Sequence, residues 1–255
     1  MISFNARSVT YDWGLVWDNR DMFWWGLVTA LQVSFVALFF SMVFGMILAL
    51  ARMGKRPGSI FAATYINIFR GIPALVSVIW VYFGWSLLVG FNFTVFQAGV
   101  IALTLLYSAF FAEIFRSALT ALSPGQSEAG LALGMSRGRV FYLIKLPQAT
   151  KIAIPNIGNM FIGMVKDTSV FTVIGLVEIV RVTQNLNATY FQPFVLFTAA
   201  AIIYVILAFV LDFMFRTLEK ILSTPTKGFL ATFFTSGRSR RINELIRKHD
   251  DSLSE

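Results

Sequence analysis

The sequence predicts an all-α integral membrane protein, a bundle of five transmembrane helices with its N-terminus outside and its C-terminus in the cytoplasm. Three observations carry this. Of 255 residues, 57% are hydrophobic and 13% charged, about half the charged share of ordinary soluble domains, roughly 25%. The apolar residues are gathered into blocks long enough to cross a bilayer. The basic residues collect on alternate connections between those blocks, as the positive-inside rule requires.

Residues 1–22 form an extracytoplasmic N-terminal segment. Arg7, Asp12, Asp18, Arg20 and Asp21 mix both signs, and the block that follows is too long for a secretory signal and has no small-residue cleavage pattern. Residues 23–216 hold the five spans. The first, 23–51, runs without a charge, starts on Trp24 and Trp25 as interface anchors, and closes on Arg52, Lys55 and Arg56 before Pro57 and Gly58 turn the chain. Residues 59–70 read as an interfacial helix or as the first turns of the next span. The stretch 71–112 has no charge and is too long for one helix, and Gly90-Phe91-Asn92 divides it into spans near 72–89 and 96–118. Arg70, Glu113 and Arg116 fall near the cytoplasmic headgroups, Arg70 as a snorkelling side chain and the other two as a local i,i+3 pair.

A polar interruption at 119–151 separates the third span from the fourth. The fourth, 152–177, is broken near its middle by Lys166 and Asp167. A polar stretch at 178–192 leads to the fifth, 194–211, which ends on an Asp212–Arg216 pair at i,i+4. Residues 217–255 form a basic cytoplasmic tail, in which Pro225 ends the helix and Ile242, Leu245 and Ile246 make a narrow apolar face with basic flanks. That pattern fits either a helix lying on anionic headgroups or a disordered tail. With five spans, sixteen of the 21 Lys and Arg residues lie on the cytoplasmic side and three outside, while Arg70 and Lys166 lie within or beside spans. The net charge of +8 therefore needs no nucleic acid partner.

Residue chemistry excludes several function classes. There is no cysteine and a single histidine, His249, so thiolate chemistry and His or Cys metal sites are not available. No G-x-x-x-x-G-K-[ST] run is present to cradle ATP phosphates, and no catalytic Ser/His/Asp or paired-carboxylate set can be assembled.

Two places concentrate the remaining signal. In the 119–151 loop, Ser123 as N-cap, Pro124 at the first helical position and Gln126 three residues after the cap start a short helix over 126–133, which Gly134 stops. A second helix starts at Ser136 and is expected to stop at Pro147. Glu128 falls in about the first turn, where the macrodipole favours an anion. Small residues at Gly125, Ala129 and Gly130 leave backbone open to a partner protein, or else fit a tightly packed turn. Within the fourth span, Lys166 and Asp167 point about 100° apart on a helix and cannot simply neutralise each other. An intramembrane charge costs about 2.5–3.5 kcal/mol and normally faces a bundle interior or a wet cavity. A translocation pathway or dimer seam and a structural ion network both fit.

GQSEAGLALGMS (125–136) followed by LPQA (146–149) resembles the cytoplasmic EAA loop of bacterial ABC-importer permeases, with Glu128, Ala129, Gly134, Leu146 and Pro147 at the family's spacing and Gly130 where a second alanine is usual. FRGIP (69–73), AEIFRSALTALSPGQ (112–126) and KDTS (166–169) are similar to the permeases for polar amino acids, although Ser117 and Ala118 stand where glycines are common. The resemblance covers roughly residues 24–216 and reaches neither the N-terminal segment nor the tail. It implies a transmembrane permease subunit of an ATP-driven importer of polar amino acids, multi-pass in a bacterial cytoplasmic (inner) membrane, that works by alternating access and carries no catalytic step.

It further implies that Gly125, Glu128, Ala129, Gly130, Gly134, Leu146 and Pro147 dock an ATP-binding cassette ATPase dimer. Lys166, Asp167, Thr168 and Ser169 would lie on the pathway or the seam with a second permease subunit, identical or paralogous. An extracytoplasmic amino acid binding protein would deliver substrate, and ATP and Mg would sit on the ATPase, leaving no cofactor here. A stand-alone secondary transporter or channel is the alternative; it shows no internal repeat and leaves the loop without a purpose.

Overall fold

The computed structural model describes residues 11–223, and among these every regular element is helical. The chain divides after Arg216 into two units, and the packing below concerns the first. The tail signals at Pro225 and at 242–246 lie outside the described residues.

A short helix α1 (Gly14–Asp18) precedes α2 (Arg20–Met53), the first long apolar helix. Helix α3 (Gly58–Gly71) is a separate element that stops where Pro73 forces Ile72 into an extended conformation, with φ −92° and ψ 127°. The chain restarts as α4 (Ala74–Ile79), widens into a π-helical stretch (Trp80–Trp85), and ends as α5 (Ser86–Val89), which Gly90 caps at a φ of 70°. This run meets α3 at 107°. The span expected near 72–89 is thus one arm of a bent pair.

Helix α6 (Val95–Thr120) opens with a full capping box between Thr94 and Gln97. The 119–151 loop folds as α7 (Pro124–Ala132), α8 (Arg137–Val140) and a π-helical turn (Phe141–Lys145) that runs directly into α9 (Leu146–Asp167). Pro147 therefore does not end a helix as the sequence suggested. A proline lacks the amide proton and crowds the carbonyl four residues back, and the widened turn just before it absorbs both demands. A 3-10 stretch (Thr168–Ile174), then α10 (Ile179–Tyr190) and α11 (Pro193–Ser223), complete the described chain.

Among the described residues, four helices are long and apolar enough to cross a membrane, and the bent pair makes a fifth if counted as one span. Helix α6 is the central one: 67% of its apolar window is buried within the chain, against 33% for α2 and for α11. Lipid tails are as apolar as the side chains, so close van der Waals contact rather than water exclusion holds such helices together. Most of the buried residues on α2 are small: beside Phe23 and Val33 they are Gly26, Ala30, Ser34, Ala37, Ser41, Gly45 and Ala49. At Gly45 an added Cβ would stand 2.7 Å from the Cβ of Phe111 on α6, so only glycine permits that approach. Gly158 of α9 receives the Phe215 ring of α11 in the same way, at 2.7 Å. The outward faces of α2 and α11 carry Phe35, Phe39, Phe44, Phe209 and Phe213, all exposed, as a lipid-facing surface requires.

Candidate functional site

The loop at 119–151 is a built structure. Helix α7 ends in a Schellman motif: Met135 N–H donates to the Gly130 carbonyl at 3.1 Å and Gly134 N–H to the Leu131 carbonyl at 2.9 Å, with Gly134 at a φ of 78°. At the other end Ser123 makes no side-chain cap bond, so Gln126 completes no capping box there. Glu128 falls beyond the first turn of α7 and is exposed, which removes the macrodipole as its reason for being acidic. Gly125, Ala129, Gly134 and Pro147 are also exposed, and Leu146 is half-buried. Gly130 is buried instead: an added Cβ would stand 3.0 Å from both Val140 and Ile144. It closes α7 against the second helix and presents no surface. The large exposed apolar residues of the loop are Leu133, 83% exposed, with Leu131, Tyr142 and Leu143. Sequence reading passed over Leu133 because it stood inside a motif defined by its small residues.

Lys166 and Asp167 occupy the end of α9 away from the loop, where the α-helix tightens into the 3-10 stretch. They are not at the middle of their span, because the helix starts earlier than its apolar run. The two side chains diverge. Asp167, half-buried, accepts a hydrogen bond from the Tyr107 hydroxyl of α6 at 2.9 Å. Lys166, exposed, lines a cavity of about 420 Å³ between α9 and α11 with Tyr204, Phe209, Asp212 and Arg216. Thr168 is buried and donates to the Val165 carbonyl at 2.7 Å; Ser169 is half-buried.

A second carboxylate closes the 3-10 stretch. Gly175 turns the chain at a φ of 90°, and Glu178, fully buried, caps α10 by accepting from Val180 N–H at 2.9 Å and Arg181 N–H at 2.8 Å. The Tyr204 hydroxyl of α11 donates to it at 2.6 Å. Burial pushes the Glu178 carboxyl above the ordinary range, although Tyr204 and the two amides pull it down. One tyrosine from each neighbouring helix therefore holds one end of the 167–178 connection. Neither tyrosine stands out in the sequence, each being one aromatic in an apolar run.

On the half of the bundle nearer the loop, α3, α6 and α9 enclose a cavity of about 400 Å³ lined by Arg70, Phe110, Glu113, Ile114, Ser117, Asn156, Asn159 and Met160. Glu113 pairs with Arg116 at 2.8 Å and also with Arg52 of α2 at 3.4 Å, so it joins two helices and is more than a local surface partner. The Arg70 guanidinium lies over the Phe110 ring at 5.7 Å from its centroid. Arg70 thus borders a cavity and does not simply reach for headgroups. Asn156 and Asn159, three apart within the apolar run that starts at Ile152, are a signal that the sequence reading did not use.

The family of binding-protein-dependent transport system inner membrane components matches residues 41–223, well over half the chain. The chain belongs to this family. The glutamine transport system permease protein GlnP of Escherichia coli (strain K12) is 34% identical over 214 residues, covering 82% of this chain and 97% of that protein. The arginine transport system permease protein ArtQ of Bacillus subtilis (strain 168) is 34% identical over 203 residues, covering 78% and 91%. A crystal structure of an amino acid ABC transporter with histidines superposes with a TM-score of 0.76 at 31% identity, covering 83% of this chain and 99% of that one. As an inner membrane component of this family the protein is a multi-pass permease subunit, and its bent pair and four long helices are the permease fold.

Proposed function

We propose that this permease carries polar amino acids inward by alternating access, driven by ATP that a separate ATPase dimer hydrolyses. The observation that supports the substrate class is the 34% identity to a glutamine permease, which extends over 97% of that protein. ATP and Mg belong to the ATPase, and this chain contributes no chemical step. Its N-terminus lies outside and its C-terminus in the cytoplasm, in keeping with the distribution of Lys and Arg.

The 119–151 loop is the ATPase contact. Leu133 stands 83% exposed at the tip of a rigid helix-turn-helix, with Glu128 and Ala129 exposed on the same short helix. A large exposed apolar residue on an ordered element suits a partner pocket. Gly134 shapes the turn and Gly130 packs it, so these two act through the loop's form. Leu146 and Pro147 start α9 and transmit movement of the loop into a membrane helix. At the far end of α9, Asp167 with Thr168 and Ser169 border the pathway, Lys166 faces the α9–α11 cavity, and a second permease, identical or paralogous, completes the conduit. A binding protein outside delivers the amino acid.

The test is accumulation of labelled amino acids by proteoliposomes holding the complete transporter with its binding protein. Uptake of polar amino acids but not of sugars is expected. Accumulation of sugars or inorganic ions with no amino acid uptake would sink the substrate class.

A further inference from the structure

The N-terminal segment, which the family resemblance does not reach, is folded onto the bundle. Its Tyr11 ring meets that of Phe194 at the start of α11, with centroids 4.9 Å apart, and Val16 of α1 packs against the apolar cluster that joins α2, α10 and α11. Beside α1 lies a cavity of about 240 Å³, a volume on the order of eight waters. Val16, Phe23, Leu27 and Ile203 give it apolar walls suited to hydrocarbon, and Trp17, Trp24 and Arg20, all exposed, complete its lining. Helix α2 begins here and ends on the side of the 119–151 loop, where Arg52 pairs with Glu113 of α6. The cavity therefore lies at the membrane face opposite that loop. Trp13, Trp17, Trp24 and Trp25 are all exposed along this stretch, as in an aromatic belt at headgroup level.

Arg20 is held in place. Its guanidinium lies 5.2 Å from the Trp17 ring centroid, and its Nη1 donates to the Trp17 carbonyl at 3.1 Å. It pairs with no carboxylate among the described residues. Asp18 and Asp21 flank it in the chain, both exposed and both without a cation partner among those residues. One anchored cation between two free carboxylates, at an apolar cavity, disfavours an anionic ligand and matches a zwitterion that carries a hydrocarbon chain.

We propose that this cavity is a site for one phosphatidylethanolamine molecule of that leaflet, with the end of an acyl chain in the cavity, the phosphate on Arg20 and the ammonium on Asp18 and Asp21. The guanidinium fork suits phosphate oxygens. The ammonium brings N–H donors for the carboxylates, whereas the choline headgroup has no N–H and the glycerol headgroup no cation. A lipid so bound ties α1 to α2 and α11 and fixes the segment that enters the first span.

The complete transporter, purified in detergent, is titrated with phosphatidylethanolamine, phosphatidylcholine or phosphatidylglycerol of identical chains, and the lipids retained per permease are counted by native mass spectrometry. One phosphatidylethanolamine per permease is expected to be held about tenfold more tightly than either other lipid. Glycerophosphoethanolamine, which has the headgroup without chains, should not displace it. Arg20→Gln is expected to cost about tenfold in retention, with Arg20→Lys restoring part. Asp18→Asn combined with Asp21→Asn should erase the preference over phosphatidylglycerol, and Val16→Phe, which adds bulk at the cavity, should weaken all three lipids. Equal retention of the three lipids by native protein would mean annular lipid only and overturns the site. Tighter binding of phosphatidylglycerol, displacement by the chainless headgroup, or undiminished retention in Arg20→Gln overturns it equally. If Arg20→Gln fails to assemble, the aspartate variants and the headgroup comparison decide. The readout is binding, so the outcome is separate from that of the substrate class.

Discussion

Tyr107 on α6 donates its hydroxyl to the carboxylate of Asp167 at 2.9 Å, joining residues sixty positions apart at the point where α9 becomes a 3-10 helix. Removing the hydroxyl leaves a half-buried carboxylate without its described partner, a loss of about 1.5–3 kcal/mol for a bond to a charged group. Tyr107→Phe is expected to lower the thermal midpoint of the detergent-solubilised complex and slow uptake. Asp167→Asn, which keeps an acceptor for the hydroxyl, should be milder in stability. Equal midpoints for native and Tyr107→Phe protein would show that the bond holds nothing in place.

Glu178 fixes the other end of the same connection. Glu178→Ala removes an N-cap, worth about 0.5–2 kcal/mol, and takes away the carboxylate that accepts from the Tyr204 hydroxyl. Its carboxyl titrates above the ordinary value of 4.5 because burial disfavours the charge. The sign follows: stability from this group is full below 4.5 and is lost as pH rises through the higher value of the folded state. Thermal midpoints of native protein, relative to Glu178→Gln, should therefore fall across that window. A difference that grows with pH would contradict the assignment.

Glycine at position 45 is a packing requirement. Gly45→Val places side-chain atoms where the Phe111 Cβ already stands, and should destabilise by about 1–3 kcal/mol or more, as overpacking does. Gly58→Ala, at the start of α3 with nothing within 4 Å, should be neutral or slightly stabilising. Similar losses in both, measured by intrinsic fluorescence melting, would remove the distinction.

Much of the fold was legible from residues 23–51, an uncharged run that crosses a bilayer on length alone, and from Gly90 and Gly134, which end helices at positive φ where expected. The bend between α3 and α4 was half-legible, since Pro73 restricts Ile72 but says nothing of the 107° angle. Pro147 misled because a π-turn is a neighbour's accommodation with no residue signature of its own. The polar segment after Glu178 concealed α10 for a different reason: its helix is held by Glu178 and by burial of Ile179, Val182 and Leu186, contacts that only tertiary packing supplies.

Of the candidate functional residues, Glu128 and Gly134 were visible through a motif, whereas Tyr107, Tyr204 and Arg70 were not. A tyrosine in an apolar run carries no mark of the carboxylate it will meet, and Arg70 looked like any charge at a span's edge. Asn156 and Asn159 form an i,i+3 polar pair within an apolar run, and sequence reading passed over them. Lys166 and Asp167 were visible as charges, but their depth depended on where α9 begins, which Pro147 obscured.

In the loop, surface and shape separate by mutation. Leu133→Ser and Glu128→Lys alter exposed side chains, and each should reduce co-purification of the ATPase while leaving the stability of the isolated permease within about 0.5 kcal/mol of native. Gly134→Val strains a φ of 78° and should weaken both, with Gly134→Asn falling between because asparagine tolerates that conformation. Undiminished ATPase binding in Leu133→Ser and Glu128→Lys would remove the loop from the interface.

Coupled transport is tested most directly by measuring ATP hydrolysis and amino acid accumulation together in proteoliposomes containing this permease, its ATPase and its binding protein. Accumulation is expected only with ATP and binding protein present, and Glu128→Lys or Leu133→Ser should abolish it while leaving the permease inserted and intact. Accumulation or flux that proceeds without ATP, or that persists undiminished in both loop variants, would contradict ATP-driven import through this loop.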